Sequence, residues 1–431
     1  MFSKFGSLAF RLRQLERAPW VLPLSFSLVA LFTVLVSYYA ARFAPEKLPF
    51  TIDHGALASI LTILGSSMLT IAVFSLSTLV GAVSQASQSS TPRAVPLIVQ
   101  DRAAQTTISV FIGAFLYSIV GIIGLSSGIY SEAGRLVLFF VTLGVVAIVV
   151  AALIRWIDHA VKIGRIVEVI GHLERAATKA MEALAEDQRF GCRVRRGEVP
   201  KGRQVRADKA GYLQHFDLSR LNELTENREA TIHIIVWPGA VVLKDMTIAV
   251  LVGPFEDGDE AVVRDSFTIG NERTFEYDPR YGISVLAEIG SRALSPGIND
   301  QGTALDVIGA LVRTFAAAPD ALADADDDPR YPQLTLPPID AAKFFAAGFR
   351  PIARDGADKI EVVLRMAKGL VWLEHFAPYH RAADDMLTEV RARAAQALTY
   401  EGDRDLLDRK ITELRSRYSS DLASPPESSS A

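Results

Sequence analysis

The chain has 431 residues, of which 50% are hydrophobic and 22% charged, and its formal net charge is −4. So small a net charge argues against a nucleic-acid partner, and a single cysteine, Cys192, excludes disulfide bonds within the chain. Apolar residues are concentrated before residue 158, so the predicted fold class is an α-helical membrane protein (four transmembrane helices) with a C-terminal α+β cytoplasmic domain.

Four charge-poor segments before residue 158 are each long enough to cross a bilayer, which takes about 20 apolar residues. They comprise residues 20–41, 55–83, 103–131 and 136–154. Lys and Arg are enriched before the first segment, between the second and third, and after the fourth, as is typical of cytoplasmic loops. Residues 1–157 are therefore predicted as an N-terminal tail and a multi-pass transmembrane domain, with both termini in the cytoplasm.

The second segment carries uncharged polar side chains along one narrow face. The seven residues of this stripe are Ser59, Thr62, Ser66, Thr70, Ser77, Ser84 and Gln88. At about 100° per residue they lie on one side of a helix, and the stripe is predicted either as a packing seam or as the lining of a polar path through an oligomer. Because residues 55–92 contain no ionisable side chain, a proton-coupled pump is disfavoured.

After the fourth segment, apolar residues continue at intervals of 3 and 4 and predict that its helix runs on as a stalk over residues 158–188. The apolar seam comprises Ile163, Ile166, Ile170, Leu173, Ala177, Ala180 and Leu184. It fits either a stalk that pairs with copies of itself or an amphipathic helix lying on its own domain. Eight basic residues in 189–209 fit either contact with anionic headgroups or an ordinary solvated loop.

Residues 189–318 are predicted as the α+β cytoplasmic domain. Short β-branched segments predict antiparallel strands over 211–216, 231–236, 241–244 and 247–252. Asp278-Pro279 predicts a helix start, residues 295–297 end that helix, and Asn299 or Asp300 caps the next one.

The remaining chain is predicted in three parts: an acidic, Pro-rich linker over 319–340, helices over 341–418 and a disordered tail over 419–431. The linker carboxylates lack the spacing of a calcium-binding loop, so no metal site is predicted. Templates for phosphate binding, zinc hydrolysis and nucleophilic catalysis are missing, so no catalytic residue and no cofactor are predicted, and an enzyme is unsupported.

Three stretches together resemble the bacterial membrane-protein family called domain of unknown function 2254. They are residues 84–93 with Gln100-Asp101-Arg102, then Gly211-Tyr212-Leu213-Gln214, and lastly residues 272–304, which include Asp278-Pro279. This sequence departs from the family pattern at Thr91 and at Gln301-Gly302. The resemblance implies a four-span inner-membrane protein with a cytoplasmic domain, and it implies no activity.

Residues in these stretches are candidates for coupling the membrane part to the domain, or for binding a ligand or partner. They are Pro92, Arg93, Asp101, Arg102, Gly211, Tyr212, Gln214, Ser295, Pro296, Asn299 and Asp300. The first functional hypothesis is an oligomeric channel or transport-like protein whose second helix lines the path and whose cytoplasmic domain gates it. The alternative is a membrane-anchored sensor or scaffold. Expected partners are the lipid bilayer, further copies of the chain, and a cytoplasmic protein or small molecule.

Overall fold

The computed structural model describes residues 53–99, 101–128, 130–186, 190–226, 228–323 and 329–423, together with Leu28 and Phe32. The chain divides into two compact units, and the boundary along the sequence falls between Glu168 and Val169. Apart from Leu28 and Phe32, the span predicted at residues 20–41 lies outside the described residues. The same is true of the linker carboxylates at 324–328 and of the tail after residue 423.

Long helices dominate the first unit. In chain order, the elements of this unit are α1 (His54–Ser89), a 3-10 turn (Pro92–Ala94), the short α2 (Val95–Val99), α3 (Arg102–Ser126) and α4 (Glu132–Lys162). Within the described residues, α1, α3 and α4 are the three helices long and apolar enough to cross a membrane. Three of the four predicted spans are thus supported as candidates. At about 1.5 Å per residue, the 36-residue α1 is longer than a hydrocarbon core of about 30 Å.

The face of α1 opposite the polar stripe holds the first unit together. Leu57, Leu61, Leu64, Met68, Ala72 and Leu79 are its buried apolar residues. Gly65 allows close approach to α3, since a Cβ there would lie 3.2 Å from the Ser118 Cβ. Between α3 and α4, the Tyr117 and Thr142 hydroxyls lie 2.9 Å apart and share a buried hydrogen bond. Such a bond stabilises helix pairs in an apolar solvent.

The fourth span does not continue into the next helix, α5 (Ile166–Glu186), so the predicted continuous helix is wrong. Ile163 is extended after α4, and Gly164 adopts a left-handed φ of +84°. Glycine is required there for a second reason, because a Cβ would lie 3.3 Å from the backbone of Ala82. Hydrophobic periodicity runs across this break and does not reveal it.

The second unit combines short strands with many helices. The strands are β1 (Cys192–Val194), β2 (Arg203–Arg206), β3 (Gly211–Phe216), β4 (Thr231–Ile234), β5 (Val241–Val242), β6 (Thr247–Val252), β7 (Phe267–Gly270) and β8 (Tyr331–Leu336). The helices after α5 are α6 (Leu218–Thr225), α7 (Asp259–Asp265), α8 (Pro279–Ala293), α9 (Gln301–Ala317), α10 (Ala341–Asp355), α11 (Ile360–Leu373), α12 (His380–Ala397) and α13 (Glu401–Ala423). Since α13 reaches Ala423, the helical part extends beyond the predicted limit at residue 418.

The strands form two sheets, with orders β1-β8-β4-β6-β2 and β5-β3-β7. The smaller sheet is antiparallel, as predicted, whereas β8 in the larger sheet is parallel to both β1 and β4. Strand β8 lies inside the predicted linker, with Leu334 and Leu336 fully buried. The linker prediction was wrong there because the pairing partners of β8 are distant in sequence, and Pro332 and the nearby carboxylates mask its short apolar half.

Helix α5 packs on its own unit. A Cβ on Gly282 of α8 would lie 2.7 Å from the Ala177 Cβ, so the two helix backbones are close. On α9, Arg313 donates to Glu174 at 2.6 Å. The apolar seam of α5 from Ile170 onward is buried, which favours the amphipathic-helix interpretation over self-pairing.

Replacing Ala177 with Leu should destabilise the protein by about 2 kcal/mol, because the larger side chain has no space against Gly282. The matched control is Ala183→Leu on the exposed face of α5, with an expected change within about 0.5 kcal/mol. Unfolding of the purified protein in detergent, followed by circular dichroism, measures both. Equal effects of the two changes would contradict the packing of Ala177 on α8.

Candidate functional site

All seven residues of the α1 stripe are exposed within the described part of the chain. Four of their hydroxyls donate to the carbonyl oxygen four residues earlier, at 2.8–3.0 Å: Thr62, Ser66, Thr70 and Ser77. Their protons are therefore used inside the helix, while oxygen lone pairs still face outward. At these four positions the stripe presents hydrogen-bond acceptors whose own donors are already satisfied within the helix.

Large apolar residues flank the stripe on both sides. Those more than a third exposed include Ile63, Leu69, Phe74, Leu76 and Val80. The outer face of α1 is thus apolar with one narrow polar line. This pattern suits contact with lipid or other helices at the flanks and contact with water or polar groups along the line.

The candidate residues between α1 and α3 form a compact corner. Pro92 begins the 3-10 turn, and the buried Thr91 hydroxyl caps it by accepting from the Arg93 N–H at 3.3 Å. Asp101 caps α3 by accepting from the Ala104 N–H at 2.9 Å. The departure from the family pattern at Thr91 therefore has a local role, because a hydroxyl satisfies an N–H of the turn.

His159 on α4 joins this corner, which the sequence did not indicate. Its Nε2 lies 3.1 Å from Oδ1 of Asp101, although without the alignment of a hydrogen bond. Its ring also lies beside Trp156, with centroids 6.2 Å apart. Asp101 thus contacts the end of α4 as well as the start of α3. The pairing follows from tertiary structure, since no local pattern links residues 101 and 159.

The candidate residues on β3 are held by the smaller sheet. Because β3 lies between β5 and β7, Gly211 and Tyr212 pair with β5, and Tyr212 also pairs with Gly270 on β7. Gln214 donates through Nε2 to the Glu272 carbonyl at 2.7 Å. These contacts explain the positions of Gly211, Tyr212 and Gln214 structurally. A role in binding a ligand or partner stays a prediction.

A buried carboxylate organises the segment after β7. Asp278 is 3% exposed and caps α8 by accepting from the Tyr281 N–H at 3.1 Å. Arg273 donates through Nε to the other carboxylate oxygen at 2.7 Å, and its Nη2 lies 2.6 Å from that oxygen without hydrogen-bond alignment. Burial raises the pKa of Asp278 despite the opposing charge of Arg273. Gly239 completes the cluster, because a Cβ there would overlap the carboxylate.

His215 on β3 packs against an aromatic side chain of the same segment that carries Asp278. Its ring lies 4.8 Å from that of Tyr277, which in turn contacts Phe190 at 6.2 Å. Burial lowers the pKa of His215, and the charges of Asp217 and Glu276 only partly oppose this. The neutral imidazole is therefore favoured in the folded protein.

The candidate loop over residues 295–300 is exposed from Pro296 onward. Ile298 has 45% of its surface exposed, and Asn299 adopts a left-handed φ of +51°. Asp300 caps α9 and accepts from the Thr303 N–H at 3.1 Å and from its hydroxyl at 2.6 Å, which lowers the pKa of Asp300. Since a carboxylate already occupies the start of α9, an anion is not favoured there.

Within the second unit, the candidate residues on β3 and those of the residue 295–300 loop do not form one pocket, because β3 lies near Asp278. Within the second unit, Asp278 and the residue 295–300 loop lie at opposite ends of the 15-residue α8, about 22 Å apart. No group of His, Cys, Asp and Glu among the described residues is arranged to hold a metal ion. The structure provides an exposed polar stripe, a capped corner and an exposed loop.

Three apolar helices of spanning length joined to a unit of mixed sheets and helices define a membrane protein with a C-terminal domain. The chain belongs to the family described as "Predicted membrane protein (DUF2254)", whose model matches residues 16–371. This confirms the resemblance noted from the sequence.

Curated relatives come from mycobacteria. The chain is 26% identical over 316 residues to the uncharacterized proteins Rv1290c of Mycobacterium tuberculosis and Mb1321c of Mycobacterium bovis. The match covers 68% of this chain and 59% of each relative, so the chain spans little more than half the length of these relatives. No solved structure matches the chain.

Replacing Gly239 with Ala should destabilise the second unit by about 3 kcal/mol, because Gly239 has a left-handed φ of +84° and abuts the Asp278 carboxylate. Gly297→Ala is the control, since a Cβ there meets nothing within 4 Å, and its effect should stay within about 0.5 kcal/mol. Thermal unfolding measures both variants. A neutral Gly239→Ala would contradict the described position of Asp278.

Acidification from pH 7 to pH 5 should destabilise the protein through His215. Burial lowers the pKa of His215 in the folded state, so the folded state favours the neutral imidazole. The contribution of His215 to the free energy of unfolding is therefore fully present above the ordinary pKa of 6.5 and is lost as pH falls through the folded-state pKa. One such group gives a slope of at most about 1.4 kcal/mol per pH unit. His215→Phe keeps the aromatic contact and should flatten the pH dependence of unfolding, whereas an unchanged slope would contradict the assignment.

Proposed function

We propose that the protein is an oligomeric channel or transport-like protein in which the α1 stripe lines a polar path. The single observation that carries this proposal is the exposure of all seven stripe residues, away from the buried apolar face of α1. At about 1.5 Å per residue the polar line is more than 40 Å long, and the part of it within a hydrocarbon core of about 30 Å is a poor surface to leave against lipid tails. Association of several copies around the stripe would place it on a common axis.

The chemistry of the stripe suits passive conduction. Hydroxyl protons engaged within the helix leave outward lone pairs, which favour water, donor-bearing solutes and hydrated cations over bare anions. The stripe contains no ionisable side chain, so coupling to protons is not part of the proposal. The C-terminal domain would act as a gate, with the membrane a bacterial inner membrane and both termini in the cytoplasm.

Thr70→Leu or Ser77→Leu should reduce solute flux about tenfold, equivalent to about 1.4 kcal/mol on the transport barrier, because each replaces outward acceptors by a bulky apolar side chain. Ser67→Leu is the matched control, since Ser67 is exposed on the same helix but off the stripe. Flux of glycerol and of potassium ions into proteoliposomes provides the measurement, with oligomer size checked in detergent.

Two outcomes would contradict conduction along α1. One is equal flux from liposomes with and without the wild-type protein. The other is an equal loss of flux in the Thr70, Ser77 and Ser67 variants, which would point to general disruption of the helix.

A second candidate function is a membrane-anchored sensor or scaffold. The exposed loop over residues 295–300 favours it, because Pro296, Ile298 and Asn299 face solvent and are not needed to fill the core. In that case the stripe variants would be silent in cells, and loss of function would follow substitutions such as Ile298→Asp. Comparing the two sets of variants in one complementation assay separates the candidates.

A further inference from the structure

A tight turn joins β5 to β6, which belong to different sheets. It carries an exposed apolar surface, here called the hairpin patch: Val241, Leu243 and Met246. Their side chains are 56%, 60% and 37% exposed. Between them, Val242 is fully buried in the core. Alternation along the strand thus directs one residue inward and presents its neighbours to solvent. Among the described residues of the second unit, no other six-residue stretch exposes three large apolar side chains.

The fold holds this patch in place. The Met246 N–H donates to the Leu243 carbonyl at 3.1 Å and closes a four-residue turn with Lys244 at its apex. Asp245 takes the left-handed turn position with φ of +66°, which Asp tolerates better than most residues. Two backbone hydrogen bonds of 2.9 Å join Asp245 and Met246 to Ala207. The apolar side chains are therefore exposed by a fixed turn rather than by a loose end.

The turn and the segment bonded to it carry three exposed basic residues. Lys244 is exposed at the apex, and Arg206 and Lys209 are exposed on the segment bonded to the turn. Asp208 and Asp245 are the exposed carboxylates of the same two segments, so cations are in the majority. The basic run seen in the sequence is divided by the fold, because β1 and β2 lie at opposite edges of the larger sheet. Only the end of this basic run near Lys209 adjoins the turn that carries the hairpin patch.

Apolar side chains at a fixed apex, flanked by lysines, match the chemistry of a membrane–water interface. Leu and Met gain by leaving water, while Lys keeps its charged end at the headgroups. Anionic headgroups attract each added cation by about 1 kcal/mol, or about fivefold in binding. A second copy would present the same net positive charge, so it matches the patch less well than an anionic lipid surface does. A lipid surface is also always near, because the same chain carries three helices of spanning length.

We propose that the hairpin patch docks on the anionic headgroup surface of the membrane that holds the chain. Leu243 and Met246 enter the interfacial region, and Lys209 and Lys244 contact lipid phosphates. This proposal goes beyond conduction along α1 and does not require it. Docking would restrain the C-terminal domain at the membrane in a way that depends on lipid composition.

Fluorescence quenching in nanodiscs tests the proposal with the full chain. A bimane label is placed at Leu243→Cys, and a matched label is placed at Tyr400→Cys, which is 70% exposed on another part of the domain. The native Cys192 is 1% exposed, so wild-type protein reports any background labelling. The discs contain phosphatidylcholine and phosphatidylglycerol in equal amounts, with lipid carrying a spin label at the headgroup.

Strong quenching at position 243 and weak quenching at position 400 is the expected result. Lys209→Gln and Lys244→Gln should each shift the docking equilibrium about fivefold toward the undocked state. Removal of phosphatidylglycerol abolishes the attraction of both lysines together and should shift the equilibrium about 25-fold. Leu243 and the lysines are exposed, so these changes leave the core intact.

Three results would overturn the proposal: equal quenching at the two positions, quenching that persists unchanged in pure phosphatidylcholine, or disulfide-linked pairs through position 243 in place of quenching. The last result would identify a second copy as the occupant. None of these readouts involves solute flux, so their failure leaves conduction along α1 to be judged separately.

Discussion

In the core of a bilayer no water is present to hydrogen-bond a polar group, so each such group must find a partner within the protein. This constraint shapes the first unit. Backbone groups are satisfied by long helices, and hydroxyls on α1 donate to their own helix at positions such as Thr70 and Ser77. The helices can therefore carry a polar line without breaking. The left-handed Gly164 marks where this regular pattern ends.

The second unit depends on a different device, a buried charge that several segments share. Asp278 caps α8, pairs with Arg273 and contacts the turn at Gly239. Removing water from a carboxylate is costly unless its oxygens are occupied, and here the backbone and Arg273 occupy them. The carboxylate thus joins the smaller sheet to the helical part, and its pKa is raised as the consequence of burial.

Among the described residues, the α1 stripe and the hairpin patch are exposed features that differ in chemistry. The α1 stripe is polar in a helix whose surroundings should be apolar, whereas the hairpin patch is apolar in a domain whose surface is mostly polar. A polar line is unfavourable against lipid, and an apolar patch is unfavourable against water. Each feature is therefore expected to face a specific partner. Conduction along the stripe and lipid docking of the hairpin patch are independent explanations of why each surface differs from its surroundings.

The sequence by itself determined the three helices of spanning length, the strands β3 and β6, and the cap Asp278, because these follow from local composition and spacing. For the next helix it indicated Asn299 or Asp300, and the structure shows Asp300 as the cap. It also carried the motifs that define the family. Only the tertiary structure decided the break at Gly164, the central place of β8, the contact of His159 with Asp101 and the outward orientation of the stripe. Each of these depends on residues far apart in the chain, and no local pattern records which distant segments will meet.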